Sequence, residues 1–252
     1  MKILVAIKQV PARDSQLIAS TDGKWVDESS LEYEINEPDA YALEEALQLK
    51  ESAGGGEVIA VCAGPDRASS TIREALAKGA DRAIHIEVED IANWDTLSVA
   101  KLLAAAAKAE SPDLVLTGLQ SDDVGAGQVG VVLAELLGLP HATIIMEVVI
   151  DGATVRVKRE LEDGWFQHVS MPLPAVLTIQ SGIKKLRYAT LMGIKRAKTK
   201  EVKSLSPADL GVANTPSYQV VSVMLPQKSK QTVMLHTVAE LVDKLKNEVR
   251  VI

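Results

Sequence analysis

The chain reads as an α/β protein: a doubly wound, mostly parallel sheet with an antiparallel extension and a C-terminal arm. Three observations predict this. Through residue 140, short Val- and Ile-rich runs alternate with longer stretches of helical spacing, the rhythm of β-α-β units. After residue 140, strand-like segments follow one another, joined by turn residues. Beyond Lys198 the periodic signals fade, and a tail of roughly 50 residues that cannot bury itself usually drapes over something.

The first four runs are KILVAIK (Lys2–Lys8), EVIAVCA (Glu57–Ala63), RAIHIEV (Arg82–Val88) and DLVLTG (Asp113–Gly118). Their near-continuous apolar character suits parallel strands covered on both faces. After Asn36, apolar residues recur at Ala42, Leu43, Ala46 and Leu47, which is helical spacing with Pro38 in the first turn. AGGGE (Ala53–Glu57) then reads as a flexible connection into the next strand. Asp66 is placed to cap the second helix, whose inner stripe includes Ile72, Ala75 and Leu76 and which Gly79 closes. Trp94–Glu110 is a strong helix ended by Ser111-Pro112, and Gly127–Pro140 carries Val129, Val132, Leu133 and Leu136 on one face. Asp151-Gly152 marks a hairpin inside ATIIMEVVIDGATVRVKRE. WFQHVSM and PAVLTIQ continue as strands, so this half of the core is antiparallel or mixed. Thr237–Glu248 is a short amphipathic helix. The domain is drawn as 1–198, including a segment 183–198, with 199–252 as the arm.

Composition narrows the function classes. At 252 residues and 47% hydrophobic, the chain can bury one sizeable core. Aromatics are 3% and the net charge is −7, which argues against nucleic-acid binding by base stacking or backbone neutralisation. Charge is uneven. Met1–Ala60 holds 12 acids against 5 bases, whereas Lys184–Lys203 holds 8 bases against 1 acid. One cysteine, Cys62, excludes an internal disulfide or a cysteine metal cage. No run suits a signal peptide or a membrane span, so a cytoplasmic chain without membrane insertion is expected.

The fourth strand feeds GLQSDDVGAGQVG (Gly118–Gly130) and then a helix. Ligands of open α/β sheets bind beyond the carboxyl ends of strands, and the free N–H groups of a helix start favour a phosphate. The pattern is neither a Walker loop nor G-x-G-x-x-G, and Asp122 and Asp123 would repel a phosphate unless they turn outward or cap the helix. A phosphate site and a plain strand–helix turn both remain open on pattern alone. INEPDAY (Ile35–Tyr41) reads locally as a helix cap, with its loop facing the same sheet edge. The four histidines form no metal set or catalytic triad, and His85 lies in a strand pattern as a packed or surface residue. Glu160 and Glu162 alternate with Leu161 and could share one strand face, or simply form a solvated strand end. The chain looks like one that holds a nucleotide and meets partners, with no catalytic residues and no metal.

Several segments together resemble the β subunit of electron transfer flavoproteins: ILVAIKQVP, NEPDAYALEEALQLKE, EVIAVCAGP, ALAKGADRAIHI and GLQSDD. The most specific is the block VKRELEDG…PLPAVLTIQSGIKKLRYATLMGIKRAKTK over Val157–Lys200. The resemblance covers nearly the whole chain and implies a Rossmann-like sheet of the adenine-nucleotide-binding type. It implies an electron carrier rather than an enzyme: a heterodimer with an α subunit, with one FAD held mostly by α. Electrons would come from acyl-CoA dehydrogenase-type flavoenzymes and pass to a membrane quinone oxidoreductase. It places a structural AMP on Ala6, on Asn36, Glu37, Pro38 and Asp39, on Ala63, and on Gly118, Leu119, Gln120, Ser121, Asp122, Asp123, Val124, Gly125, Ala126, Gly127, Gln128 and Val129. The family often has cysteine where Ala63 stands. Segment 183–198 resembles the recognition loop, with Leu191 as the residue that enters a dehydrogenase pocket, Met192 and Tyr188 beside it, and Arg187, Lys195 and Arg196 as steering charges. Glu160 matches a glutamate that contacts the mobile flavin domain. A related branch holds a second FAD in place of AMP and bifurcates electrons. This chain shares KQVP and QVG with that branch but lacks its Gly-Asp-Thr, which favours AMP.

Overall fold

A computed structural model describes residues 1–226 and 232–252. Its frame is a nine-stranded sheet built from β1 (Lys2–Ala6), β4 (Glu57–Gly64), β5 (Arg82–Glu87), β6 (Leu114–Gly118), β7 (His141–Asp151), β8 (Thr154–Glu160), β9 (Phe166–Pro172), β10 (Ala175–Ile179) and β11 (Val202–Leu205). The order across it is β11-β5-β4-β1-β6-β10-β7-β8-β9. Every pair from β11 to β7 is parallel, and β7-β8-β9 is an antiparallel meander. The expected doubly wound sheet is present. Its second half is mixed because β10 slots between β6 and β7, parallel to both.

Among the described residues, α1 (Glu37–Ser52), α2 (Ser69–Lys78), α3 (Thr96–Glu110) and α4 (Val129–Leu137) cover the sheet, α5 (Leu191–Ala197) packs on α2, and α6 (Val238–Asp243) lies in the arm. Side chains alternate along β1. Ile3 and Val5 join the core under α1 and α2, and Leu4 and Ala6 join the one under α3 and α4. Period-2 strands buried on both faces explain why the runs read as continuous apolar sequence.

Two features went unread in the sequence. Strands β2 (Gln9–Pro11) and β3 (Tyr33–Ile35) form an antiparallel ribbon, and Asn36 N–H bonds Lys8 O at 2.9 Å, so the start of α1 is delivered to the end of β1. Strand β11 adds a ninth strand beyond residue 198. One capping expectation is overturned. Asp66 starts a 3-10 turn, Asp66–Ala68, and α2 begins after it on Ala68 without a side-chain cap. Gly79 does close α2, and His85 is buried with its Nε2 3.0 Å from Gly64 O.

The first part of the arm is tied to its own domain. Asn214 Nδ2 donates to Asn93 O at 3.2 Å, Ser217 N–H donates to the Asp95 carboxylate, and Val223 N–H donates to Gly23 O at 2.7 Å. Farther on, Met224, Leu225, Met234 and Val238 are exposed. Arm residues 227–231 lie outside the described residues.

Candidate functional site

In chain order the parallel strands run β1, β4, β5 outward on one side, and then β6 returns to the other side of β1. The switch point therefore lies between β1 and β6, where open α/β sheets bind ligands. Ala6, Ala63 and Gly118 all stand at or beside the carboxyl ends of adjacent parallel strands. The turn Gly118–Gln128 rises from β6 into α4. Gly125 and Gly127 take φ of +66° and +62°, the left-handed region that suits glycine. Gln128 occupies the N-cap of α4 without a side-chain cap, and the first helical bond runs from Val132 N–H to Gln128 O. The opening N–H groups of the helix are thus left for an outside acceptor.

The start of α1 closes the other side. Asn36 sits at its N-cap position but makes no cap; its Nδ2 donates to Gln120 O at 3.0 Å and its Oδ1 accepts from Asp122 N–H at 2.9 Å. The capping-only reading of INEPDAY is therefore replaced by a loop-to-loop clasp. Asp39 is buried and its two oxygens accept from Lys8 N–H and Gly118 N–H, both at 2.8 Å. A Cβ on Gly118 would lie 2.4 Å from Asp39 Oδ1, so only glycine permits this approach. Burial pushes the Asp39 carboxyl up to about 7, against the pull of the two N–H donors and Asn36. Burial, and then the Asp39 charge, pushes the neighbouring Cys62 thiol up to about 12, so it is an inert core group.

The two aspartates that threatened a phosphate are turned aside. Asp123 meets Lys8 Nζ at 2.7 Å and accepts from Val124 N–H at 2.7 Å. Asp122 accepts from Glu37 N–H at 3.3 Å and lies 3.7 Å from Arg13. Neither caps α4. Lys8 is the residue that the sequence reading missed. Its N–H holds Asp39 while its ammonium spans Ser121 (3.4 Å) and Asp123, so one strand-end lysine organises both halves of the crevice. The signal was present, because a lysine directly after an apolar strand stands at the strand's carboxyl end.

Segment 183–198 is a second, separate feature. Thr190 caps α5, accepting from Gly193 N–H at 3.0 Å. Gly193 packs so closely on α2 that a Cβ there would lie 2.3 Å from Ala77 O. Arg73 donates to Ala197 O at 2.9 Å, and Lys200 donates to Leu76 O in the last turn of α2 and to Ala80 O just beyond the helix. The outward face carries Tyr188 (92% exposed), Leu191 (88%), Met192 and Ile194. Lys195 and Arg196 are exposed, whereas Arg187 turns back onto α1.

A family described as the electron transfer flavoprotein domain matches residues 24–210. The chain is 39% identical to the electron transfer flavoprotein subunit beta of Methylophilus methylotrophus, over 97% of this chain and 96% of that one. It is 41% identical to the mitochondrial subunit beta of japonica rice over the full length of both. It is 38% identical to the human subunit beta over 98% and 97%. The chain belongs to the electron transfer flavoprotein β-subunit family. The fold and the family expected from the sequence are both met, and the chain is a component of an electron-transferring flavoprotein.

Within this electron transfer flavoprotein component, Glu160 ends β8, half-buried, and accepts from Gln180 Nε2 at 3.2 Å. Glu162 does not share its strand face; it lies in the 3-10 turn Glu162–Gly164. The turn follows from Asp163 and Gly164, which both adopt positive φ and break the strand. Among the described residues, no helix is long and apolar enough to cross a membrane, and no three His, Cys, Asp or Glu side chains are grouped to hold a metal.

Proposed function

We propose that this chain is the β subunit of a heterodimeric electron transfer flavoprotein. The heterodimer accepts electrons from acyl-CoA dehydrogenase-type flavoenzymes and delivers them to a membrane quinone oxidoreductase. FAD, held mostly by the α subunit, supplies the redox chemistry. This chain contributes no catalytic side chain. It holds a structural AMP in the crevice of Ala6, Asn36–Asp39, Ala63 and Gly118–Val129, and it meets the dehydrogenase through segment 183–198. Glu160 faces the mobile flavin domain, and the C-terminal arm packs on α. The location in this reading is cytoplasmic; the rice relative is, by its name, mitochondrial.

The observation that carries the nucleotide part is the switch-point crevice. A glycine turn feeds the uncapped start of α4, and nearby carboxylates are occupied by Lys8, by N–H donors and by Arg13. Ala6 and Ala63, at the carboxyl ends of β1 and β4, carry only methyl side chains, which suits an adenine ring in this reading. Mass spectrometry of nucleotide extracted from the purified heterodimer, with flavin counted by absorbance, tests this. One AMP and one flavin are expected. Two flavins and no AMP would instead make the complex a bifurcating one, and no adenine nucleotide at all would overturn the assignment.

A further inference from the structure

Arg187 is the most heavily bonded side chain of segment 183–198. Its Nε and Nη2 donate to the two oxygens of Glu44 at 2.8 and 3.0 Å, and its Nη1 and Nη2 donate to Glu51 at 2.7 and 3.1 Å. Its backbone N–H also donates to Glu44 Oε2 at 3.3 Å. Glu44 is 4% exposed, so this fork closes partly out of solvent, where charged hydrogen bonds are strongest. Lys184, three residues earlier, lies 3.7 Å from the buried carboxylate of Glu45. Lys184 and Arg187, at the base of the segment, are therefore turned onto α1, while Lys185 between them is exposed. The next residue, Tyr188, points away into solvent.

We infer that Arg187 is a positioning residue: it pins the start of the apolar face, Tyr188 to Ile194, onto α1, and it offers no free charge to an approaching dehydrogenase. This rests on the reading of segment 183–198 as the partner-facing loop. The physical gain is preorganisation. A loop already held in its docking shape does not lose that ordering entropy on each encounter.

Lysine separates the two roles, because it keeps the charge but cannot form a bidentate fork. The test uses the heterodimer with FAD bound, as wild type, Arg187→Lys, Glu51→Gln (the milder, exposed side of the clamp) and Leu191→Ala. Hydrogen exchange by mass spectrometry reads the order of residues 188–196 without any partner. Electron transfer from a reduced acyl-CoA dehydrogenase of the same organism, against dehydrogenase concentration, reads the Michaelis constant and kcat separately. Arg187→Lys should speed exchange in 188–196 about tenfold, the size of one lost charge-assisted hydrogen bond. It should also raise the Michaelis constant about as much, with kcat and FAD content unchanged and little salt dependence. Glu51→Gln should move both readouts the same way by less. Wild-type exchange and a wild-type Michaelis constant in Arg187→Lys would overturn the inference. Faster exchange in that variant, with transfer unaltered both there and in Leu191→Ala, would keep the clamp and discard the partner-facing reading.

Discussion

The turn Gly118–Val129 and segment 183–198 are built alike and finished oppositely. Each follows a strand of the same sheet and leads into a short helix, and each is braced by α1. The turn is held at the first residues of that helix, by Asn36 and Asp39, and the segment at its middle and end, by Glu44 and Glu51. In the turn, side chains reach inward to backbone groups, and N–H donors and glycines are left at the surface. In the segment, polar side chains reach backward, and Tyr188, Leu191 and Met192 are left at the surface. A surface of N–H groups suits a small anionic ligand, while an apolar ridge with a polar rim suits another protein. The same brace thus yields two kinds of site, and what decides between them is which groups are spent on the brace.

The largest effect is expected at Gly118. In Gly118→Val the Cβ would sit 2.4 Å from Asp39 Oδ1 and 2.7 Å from Pro38 Cβ, both within packed structure. Overpacking of that kind should cost roughly 3 kcal/mol, the upper end of its usual range, because neither the helix start nor the buried carboxylate has room to retreat. The expected result is a lowered midpoint of chemical unfolding together with loss of bound nucleotide, while segment 188–196 keeps its hydrogen-exchange protection. Normal stability with normal nucleotide content would mean that the turn is not clasped as described.

A pH titration compares the two braces next. Each has beside it one buried carboxyl of α1 raised to about 7 by burial: Asp39 under the turn, and Glu45, 3.7 Å from Lys184, under the segment. Both pKa values exceed the unfolded ones of about 4, so the native state binds more protons between about pH 4 and 7. Stability should therefore fall as pH rises through that window and level off above it. Asp95 acts in a different window. Burial raises its carboxyl, but hydrogen bonds from Ser217 and Ser98 outweigh this and bring it to about 2. Its contribution is present above about pH 4 and lost as pH falls toward 2. Asp39→Asn should flatten the slope of unfolding free energy between pH 4 and 7, and Glu45→Gln should remove a further part. An unchanged slope in both variants would place the titrating groups elsewhere.

How much of this was legible in the sequence follows from the same contrast. Strands β1, β4, β5 and β6 are covered on both faces, so their runs are unbroken and easily read. Strand β11 was missed because VKSL is four residues at the sheet edge, half-covered, with Lys203 and Ser204 exposed. The three-residue strands β2 and β3 are too short to show a period. The glycine turn was visible, but its clasp was not. Asn36 carries the local signature of a cap, and its real partners lie at Gln120 and Asp122, 84 and 86 residues away. Lys8 was absorbed into a strand for the same reason, because nothing near it in sequence announces Asp123. The apolar ridge was legible as an oddity, Leu191-Met192 amid basic residues. That Arg187 faces inward depends on Glu44 and Glu51, far away in the chain.

At the ridge itself the effect should move from folding to binding. Leu191→Ala removes an exposed side chain, so the unfolding midpoint, FAD content and nucleotide content should be unchanged. Dehydrogenase binding should weaken by ~1–3 kcal/mol, about 5- to 150-fold, the worth of one buried leucine. The readout is electron transfer against dehydrogenase concentration. A variant that folds normally and keeps the wild-type affinity would return the ridge to an ordinary surface helix.

The smallest effect, and the one that sharpens the contrast furthest, belongs to Lys195 and Arg196. Both are exposed on the last turn of α5, and neither takes part in an ion pair among the described residues. Unlike Arg187, they keep their charge free for solvent and for an approaching surface. Replacing both with Glu should slow association with an acidic dehydrogenase surface severalfold at low salt, and the deficit should shrink as ionic strength passes ~0.15 M, where screening acts over about 8 Å. The off-rate should change little, because rim charges act mainly on the approach. A small loss of α5 stability is expected too, since acids at a helix C-terminus oppose its dipole by ~0.3–1 kcal/mol. Stopped-flow traces at two salt concentrations separate these contributions. If the deficit instead persists at high salt and appears in the off-rate, then Lys195 and Arg196 make lasting contacts in the complex, and the division of this segment into inward clamp, apolar anchor and free steering charge would have to be redrawn.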